Sequence, residues 1–495
     1  MKTIFCTNNE ILTAIKERNP FKNERYLNGD DISNGLLFAD VFGEVLRYNV
    51  TANQWFVFDG VVWREDTGGL ITEGVSQRFQ RAFYLYSADA TPSFQKSVLR
   101  LGSRSARVTM VQEARNYHSI DAKMLDADGS LLNCRNGILN LQTFELLEHD
   151  PSYLLSKCAN VIYRPDARSE LFESFIDSVM VSDADKTRYL QKLLGYSLTD
   201  QSNREEAYLL YGATTRNGKS TLLETYSCML GDYALNMQPE TLAQTKRDSR
   251  SASGDIARLA GCRFLHVSEP PKRMIFDVAL LKTLLGRDRI TARHLYEREF
   301  EFTPTFKLCI NTNYLPTVND DTLFSSGRLK VIPFERHFTE EEQDKTLKDR
   351  LQMEDNLSGL FTWCLEGLRL YREEGLIPPE SIVRATQAYR DESDKVKQFI
   401  SDCLEEKEDS IIEGKALYET YVEWCHSNGF GCENKRNFFD ELKGKKLLSA
   451  TGTVGGRTVR NVVKGYRIVI DLTRDPGFQR PNLANQNELD GLFST

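Results

Sequence analysis

Ala207-Tyr208-Leu209-Leu210-Tyr211-Gly212-Ala213-Thr214-Thr215-Arg216-Asn217-Gly218-Lys219-Ser220-Thr221-Leu222-Leu223-Glu224 is the stretch on which the reading of this chain turns. An apolar run suited to a buried strand gives way to a polar, glycine-containing turn, and apolar residues then resume at helical spacing. That order of strand, loop and helix is the pattern of a phosphate-binding loop. Small residues let the backbone curl so that successive N–H groups and the positive end of the following helix face a phosphate chain. Lys219 is placed to reach the β- and γ-phosphates of a nucleoside triphosphate, and Ser220 to hold Mg²⁺. The expected nucleotide-binding set is therefore Gly212, Ala213, Thr214, Thr215, Arg216, Asn217, Gly218, Lys219, Ser220 and Thr221. Five residues separate Gly212 from Gly218, one more than is usual, so Ala213 is expected to take the place of the first glycine. The alternative is a surface turn that contains Gly-Lys-Ser by chance; the flanking strand and helix weigh against it.

Bulk properties set the frame. A chain of 495 residues, at about 150 per domain, should hold roughly three domains. Its 40% apolar and 27% charged residues are ordinary for a globular protein. The N-terminus passes from Met1-Lys2-Thr3-Ile4-Phe5-Cys6 straight into Thr7-Asn8-Asn9-Glu10, leaving no apolar stretch for a signal peptide or membrane span. A cytoplasmic protein without membrane partners is expected. Ten cysteines are scattered, without a Cys-x-x-Cys pair, and read as small core residues in a reducing compartment. Cys425, His426 and Cys432 lie close together, but no second pair completes a zinc site. A net charge of −8 argues against a surface that coats nucleic acid, while leaving room for a local basic channel.

Upstream of the loop, Asn53 to Asp66 holds two β-rich runs around Asp59-Gly60, a hairpin signal. Trp55 and Trp63 on it could stack on bases, although packing is the commoner role. Helix-like residues follow to about Lys123, and Asn136-Gly137 marks another tight turn. Asp126 and Asp128, like Asp183 and Asp185, form acidic pairs that a polymerising site would need for two metal ions. They stand in polar turns, and the solvated-turn reading is preferred. From Leu171 to Leu198 the apolar spacing predicts a helical hairpin packed on the nucleotide-binding domain.

Downstream, the buried run Arg263 to Ser268 delivers Glu269 at its tip, where a carboxylate can orient Mg²⁺ and polarise an attacking water. The run Phe306 to Ile310 ends in amides, of which Asn313, rather than Asn311, is the better partner for the water or the γ-phosphate. Between them, Ile290 to Tyr296 and Phe300 to Phe302 read as a basic hairpin with its tip near Glu297-Arg298; Arg293, His294, Tyr296 and Arg298 are its DNA-binding candidates. Arg328, ahead of the run Leu329 to Phe334, is a better arginine finger for a neighbour's γ-phosphate than Arg336. Toward the C-terminus, helices around Ala416 to Cys425 and Asn437 to Leu447 precede a basic ribbon from Thr453 to Asp471, suggesting a winged-helix module.

In this order the parts resemble the helicase half of the phage and plasmid primase-helicases, relatives of the large poxvirus primase-helicase within the superfamily 3 AAA+ helicases. Leu125 to Tyr163 resembles the domain that precedes the helicase in that family. The resemblance implies an α/β fold: a P-loop NTPase core with a parallel sheet and flanking helices, an α+β N-terminal region, and a C-terminal winged helix. It implies ATP and Mg²⁺ as cofactors, with Lys219 and Ser220 serving nucleotide and metal, Glu269 as the Walker B acid and second metal group, Asn313 as the polar sensor and Arg328 as the finger. It further implies a hexameric ring that translocates on single-stranded or forked DNA during replication of a phage or mobile element in a bacterial cytoplasm. A polymerase domain like that of longer relatives is not recognisable, so a separate primase is an expected partner. The expected divisions are 1–165, 166–395, 396–472 and a tail, 473–495. An ATP-switched origin-binding loader that separates no strands is the rival reading, and a bifunctional primase-helicase the third.

Overall fold

The computed structural model describes residues 7–26, 29–244, 254–272, 274–293, 299–318, 320–428 and 431–469. The tail from 473 and the hairpin residues His294, Tyr296 and Arg298 lie outside the described residues. The chain divides into two units, Met1–Thr386 and Gln387–Thr495.

At the centre of the first unit is a five-stranded sheet in the spatial order Leu329–Pro333, Ala207–Tyr211, Lys307–Thr312, Phe264–Ser268, Ala234–Met237. Every pairing in it is parallel. Strands buried on both faces read as unbroken apolar runs, and Ala207 to Leu210 and Leu308 to Ile310 are all at most 1% exposed. The register sets Tyr211 beside Thr312 and Pro333, and Ser268 beside Asn311, so these four strands finish at one edge. The edge where parallel strands finish, at a reversal of strand order, is where open α/β sheets bind ligands.

Helices Glu170–Val179, Ala184–Tyr196, Lys219–Leu230 and Glu354–Glu374 cover the sheet, and Phe172, Phe175, Leu193, Tyr226 and Leu360 share one core with Tyr208 and Phe264. The predicted helical hairpin is thus present and packs on the sheet. The same core takes in Leu132 and Leu139 from the short sheet Leu131–Cys134, Gly137–Asn140, Leu146–Leu147, and Ala159 and Val161 from the segment that runs beside it. Its first turn is a two-residue loop, Arg135-Asn136, one position ahead of the expected Asn136-Gly137. At the amino edge of the main sheet, Arg263 donates to the carbonyls of Leu198 and Leu131, both at 2.6 Å, and Lys307 donates to Thr199 and Thr305. These buried cations tie the helical hairpin and the short sheet to the strand ends.

The N-terminal residues build a second core from Ile11, Phe38, Phe79, Phe83 and Val98 on helices Asn8–Arg18, Asp31–Phe42, Leu70–Tyr86 and Pro92–Arg100. The Asp59-Gly60 turn forms as predicted, with Asp59 accepting from the N–H groups of Val61 and Val62 between strands Gln54–Phe58 and Trp63–Glu65. Trp55 and Trp63 are buried, and the Trp63 indole donates to the Pro151 carbonyl at 2.9 Å. They pack in the interior, which rules out the open stacking platform.

The second unit runs helix Lys395–Cys403, strand Leu404–Glu413, helices Gly414–Ser427 and Lys435–Gly444, and strands Leu448–Val454 and Arg457–Ile468. Arg457–Ile468 lies between the other two strands, and Gly455-Gly456, both at positive φ, turn the ribbon. Phe399, Tyr421, Trp424 and Phe438 pack edge-on and face-on in its core.

Candidate nucleotide site

Gly212 leaves the Ala207–Tyr211 strand with its N–H on the Thr312 carbonyl, 3.2 Å away. A Cβ there would sit 2.0 Å from Asn217 Nδ2, 2.8 Å from the Phe334 carbonyl oxygen and 3.0 Å from Lys219 Nζ. The position is closed to any side chain, so Gly212 itself occupies the crowded corner of the loop. Ala213, Thr214, Thr215 and Arg216 are exposed along its rim, with Arg216 at φ +59°. Asn217 folds back inside: its Nδ2 donates to the Thr214 carbonyl at 2.7 Å. Gly218, at φ +82°, turns the chain into helix Lys219–Leu230, and a Cβ there would meet Val179 Cγ1 at 2.4 Å. No side chain caps that helix, so its first N–H groups remain free to face an anion.

Lys219 is 3% exposed. Its ammonium donates to Asn217 Oδ1 at 2.7 Å and to Asn313 Oδ1 at 2.8 Å. Burial pushes it down to about 8, and the nearby Glu269 carboxylate partly offsets that fall. Both acceptors are neutral amides. Glu269 follows the Phe264–Ser268 strand with its N–H on the Asn311 carbonyl at 2.9 Å, and it holds φ +53° with an exposed side chain. Asn311 Nδ2 in turn donates to Ser220 Oγ at 2.9 Å. Strands lie roughly 4.8 Å apart, and the Lys307–Thr312 strand stands between the loop strand and the Glu269 strand. The loop strand and the acid strand thus lie two strand spacings, about 10 Å, apart, with Asn311 and Asn313 at the end of the strand between them.

The structure thus brings Asn217, Lys219, Ser220, Glu269, Asn311 and Asn313 together. Two features of the surround depart from what the local sequence favours. Asn311 takes a part alongside Asn313, because alternate residues at the end of one strand reach different neighbours. The loop is also pinned from behind: Phe338 N–H donates to the Arg216 carbonyl at 2.9 Å and His337 Nδ1 lies 2.9 Å from the Thr215 carbonyl. Only the parallel placement of Leu329–Pro333 beside the loop strand brings these residues there.

Arg328 lies elsewhere. It precedes Leu329, which pairs with Ala207 at the amino edge of the sheet, and donates to Glu205 Oε2 at 2.6 Å. Arg336 follows the same strand at the carboxyl edge, next to the loop's own tether, and is paired with Glu342. The predicted basic hairpin is present as Ile290–Ala292 against Phe300–Phe302, with Arg289 3.5 Å from Glu301 across it and Arg293 leading out of it. The acidic pairs are engaged in turns and caps: Asp126 accepts from Ser156 and Lys157, Asp128 from Ser130, and Asp183 caps helix Ala184–Tyr196. Among the described residues, no three His, Cys, Asp or Glu side chains gather as metal ligands, and no helix is long and apolar enough to cross a membrane.

Three sequence families match the chain: D5 N terminal like over residues 35–181, a family of unknown function over 210–328, and poxvirus D5 protein-like over 391–448. A protein of Acanthamoeba polyphaga mimivirus provisionally named a helicase is 27% identical over 442 residues, 84% of this chain and 44% of that protein. One from Frog virus 3, similarly named, is 29% identical over 46% of this chain and 25% of its own. One from African swine fever virus, provisionally named a primase, is 20% identical over 72% of this chain and 39% of its own. This chain therefore spans less than half the length of these curated relatives. Among solved structures, the apo C terminal region of NrS-1 aligns with 87% of this chain and 99% of its own, at 12% identity and a TM-score of 0.48.

Proposed function

From a chain whose N-terminal and C-terminal regions are those of the poxvirus D5 primase-helicase family, we propose an ATP-driven replicative DNA helicase of the superfamily 3 AAA+ class, serving a viral or mobile genome. One observation carries this reading: a buried lysine at a helix N-terminus whose hydrogen-bond acceptors are two amide oxygens. A buried ammonium without a contacting anion is costly. A polyphosphate is the anion that the free helix N–H groups and the closed Gly212 corner suit.

The residues present fit ATP and Mg²⁺. Lys219 and the N–H groups from Ala213 to Thr221 would hold the triphosphate, and Ser220 and Glu269 the metal, which when bound neutralises phosphate oxygens. Phosphate oxygens at Lys219 would release Asn313 Oδ1, leaving that amide to turn toward the γ-phosphate or the attacking water. Glu269 would accept a hydrogen bond from that water and polarise it. Asn311 fixes the Ser220 hydroxyl.

Arg328, at the opposite edge of the sheet from its own loop, would exchange its bond to Glu205 for a neighbouring subunit's γ-phosphate in a hexameric ring. The hairpin rooted at Ile290–Ala292 would line the channel for single-stranded DNA, and the second unit, with its helices and basic ribbon, would act as a winged helix. A separate primase partner would supply primers.

A forked duplex with one labelled strand tests the reading. Strand displacement that requires ATP is expected. Hydrolysis stimulated by single-stranded DNA with no displaced strand would contradict the helicase and favour a loader.

A further inference from the structure

A cavity of about 200 Å³ lies in the N-terminal part of the first unit, far along the chain from the nucleotide loop. Three arginines line it, Arg104, Arg107 and Arg115, against a single carboxylate, Glu73. In a chain of net charge −8 this is a basic hollow on an acidic molecule. Two helices begin at its wall: Leu70–Tyr86, entered through Gly69 at φ +69°, and Arg104–Ala114. Both are already capped, the first by Asp66, which accepts from the N–H groups of Ile71 and Thr72, and the second by Ser103, so the positive charge at the wall is that of the arginines.

The donors around the hollow are only partly used. Arg107 gives one nitrogen to the carbonyls of Leu101 and Gly102, at 3.2 and 2.7 Å, yet its buried Nε has no partner. Arg115 lays its guanidinium 4.7 Å over the Tyr48 ring, and its Nε is likewise unpartnered. Trp55, 8% exposed, lines the same cavity with an indole N–H that has no acceptor. Arg104, its side chain 79% exposed, lies 3.7 Å from Glu73. Buried donors without acceptors are rare in folded proteins, and each one asks for an absent partner. Here the shortage is all of acceptors, gathered around positive charge.

We propose that this cavity is a second anion site, separate from the ATP loop, that takes the phosphate group of a nucleotide unit. Its volume of about 200 Å³ admits a phosphate with part of a sugar. The planar guanidinium groups suit phosphate oxygens in forked geometry. The phosphate comes either from a single-stranded DNA backbone passing the N-terminal domain or from a free mononucleotide.

The test uses the full chain without ATP, so the nucleotide loop is not engaged and its failure would not mimic failure here. Fluorescein-labelled oligothymidylate is titrated by anisotropy across a salt series, and dTMP by calorimetry, against Arg104→Gln/Arg115→Gln and against Trp55→Phe, which removes the indole N–H and keeps a ring. Thermal melting checks that each variant folds. If the backbone is the source, the double variant binds the oligonucleotide about tenfold more weakly and its logarithmic salt slope falls by about 0.7, the share of the one phosphate the cavity takes; Trp55→Phe weakens binding about threefold with the slope unchanged. If the source is free nucleotide, dTMP binds the wild type and both variants lose it. Oligonucleotide affinity and slope at wild-type values in both variants, together with no heat from dTMP, would overturn the proposal.

Discussion

Replacing Gly212 by alanine adds one methyl group at the most crowded point of the loop. That carbon would stand 2.0 Å from Asn217 Nδ2, far inside contact distance, with the Phe334 carbonyl at 2.8 Å blocking escape on the other side. Asn217 must swing away, losing its bond to the Thr214 carbonyl and its acceptor role toward Lys219. A hydrogen bond to a charged group contributes about 1.5–3 kcal/mol. If Lys219 is misdirected by that amount, ATP affinity should fall about 10- to 150-fold, since about 1.4 kcal/mol is tenfold. Isothermal titration with a non-hydrolysed ATP analogue measures it. Ala213→Gly, on the exposed rim, should change affinity less than threefold, which separates the two candidates for the first small position. In an Asn217→Ala background the Gly212→Ala effect should shrink, because the clashing amide is gone, and the shortfall measures the coupling. Wild-type affinity in Gly212→Ala would refute the reasoning.

Other outcomes follow from the same contacts. Because burial lowers the free-state Lys219 to about 8 and bound phosphate would raise it again, ATP affinity should be full below pH 8 and weaken as pH rises through it; calorimetry from pH 7 to 9.5 should show the fall, and Lys219→Met should be flat there. Arg263→Met removes the donors at the Leu198 and Leu131 carbonyls, each orphan costing about 1–3 kcal/mol; calorimetric melting should show a midpoint several degrees lower, and an unchanged midpoint would contradict the clamp. Mixing Lys219→Ala with Arg328→Ala subunits should restore part of the hydrolysis if Arg328 acts across subunits, because some interfaces regain an intact loop and an intact arginine; no recovery would count against that role.

What the sequence makes legible is what chemistry and local pattern dictate together. The loop, its strand and its helix follow from Ala207 to Glu224 alone, and Glu269 and Asn313 follow from apolar runs that end in polar residues. Lateral order is not local. Nothing between Arg263 and Pro333 says that Lys307–Thr312 lies between the loop strand and the Glu269 strand, so neither the joint engagement of Asn311 and Asn313 nor the tether at His337 and Phe338 is readable. The crowding of Gly212 by Asn217 and Phe334 is likewise a product of distant features of the fold. In the second unit, strand Leu404–Glu413 escapes notice because its charged middle, where the register shifts between Glu406 and Ile411, hides the alternation of a strand. The tryptophans of the Asp59-Gly60 hairpin take the packing role preferred from the sequence, but the partner of Trp63, the distant Pro151 carbonyl, is not legible there.

The most direct measurement is steady-state ATP hydrolysis, with and without single-stranded DNA, by wild type and by Lys219→Ala, whose fold is checked by circular dichroism. The account predicts DNA-stimulated turnover in the wild type and its loss, by at least two orders of magnitude, in the variant, since the ammonium that grips the phosphates is gone. Turnover at the wild-type rate in folded Lys219→Ala would contradict it.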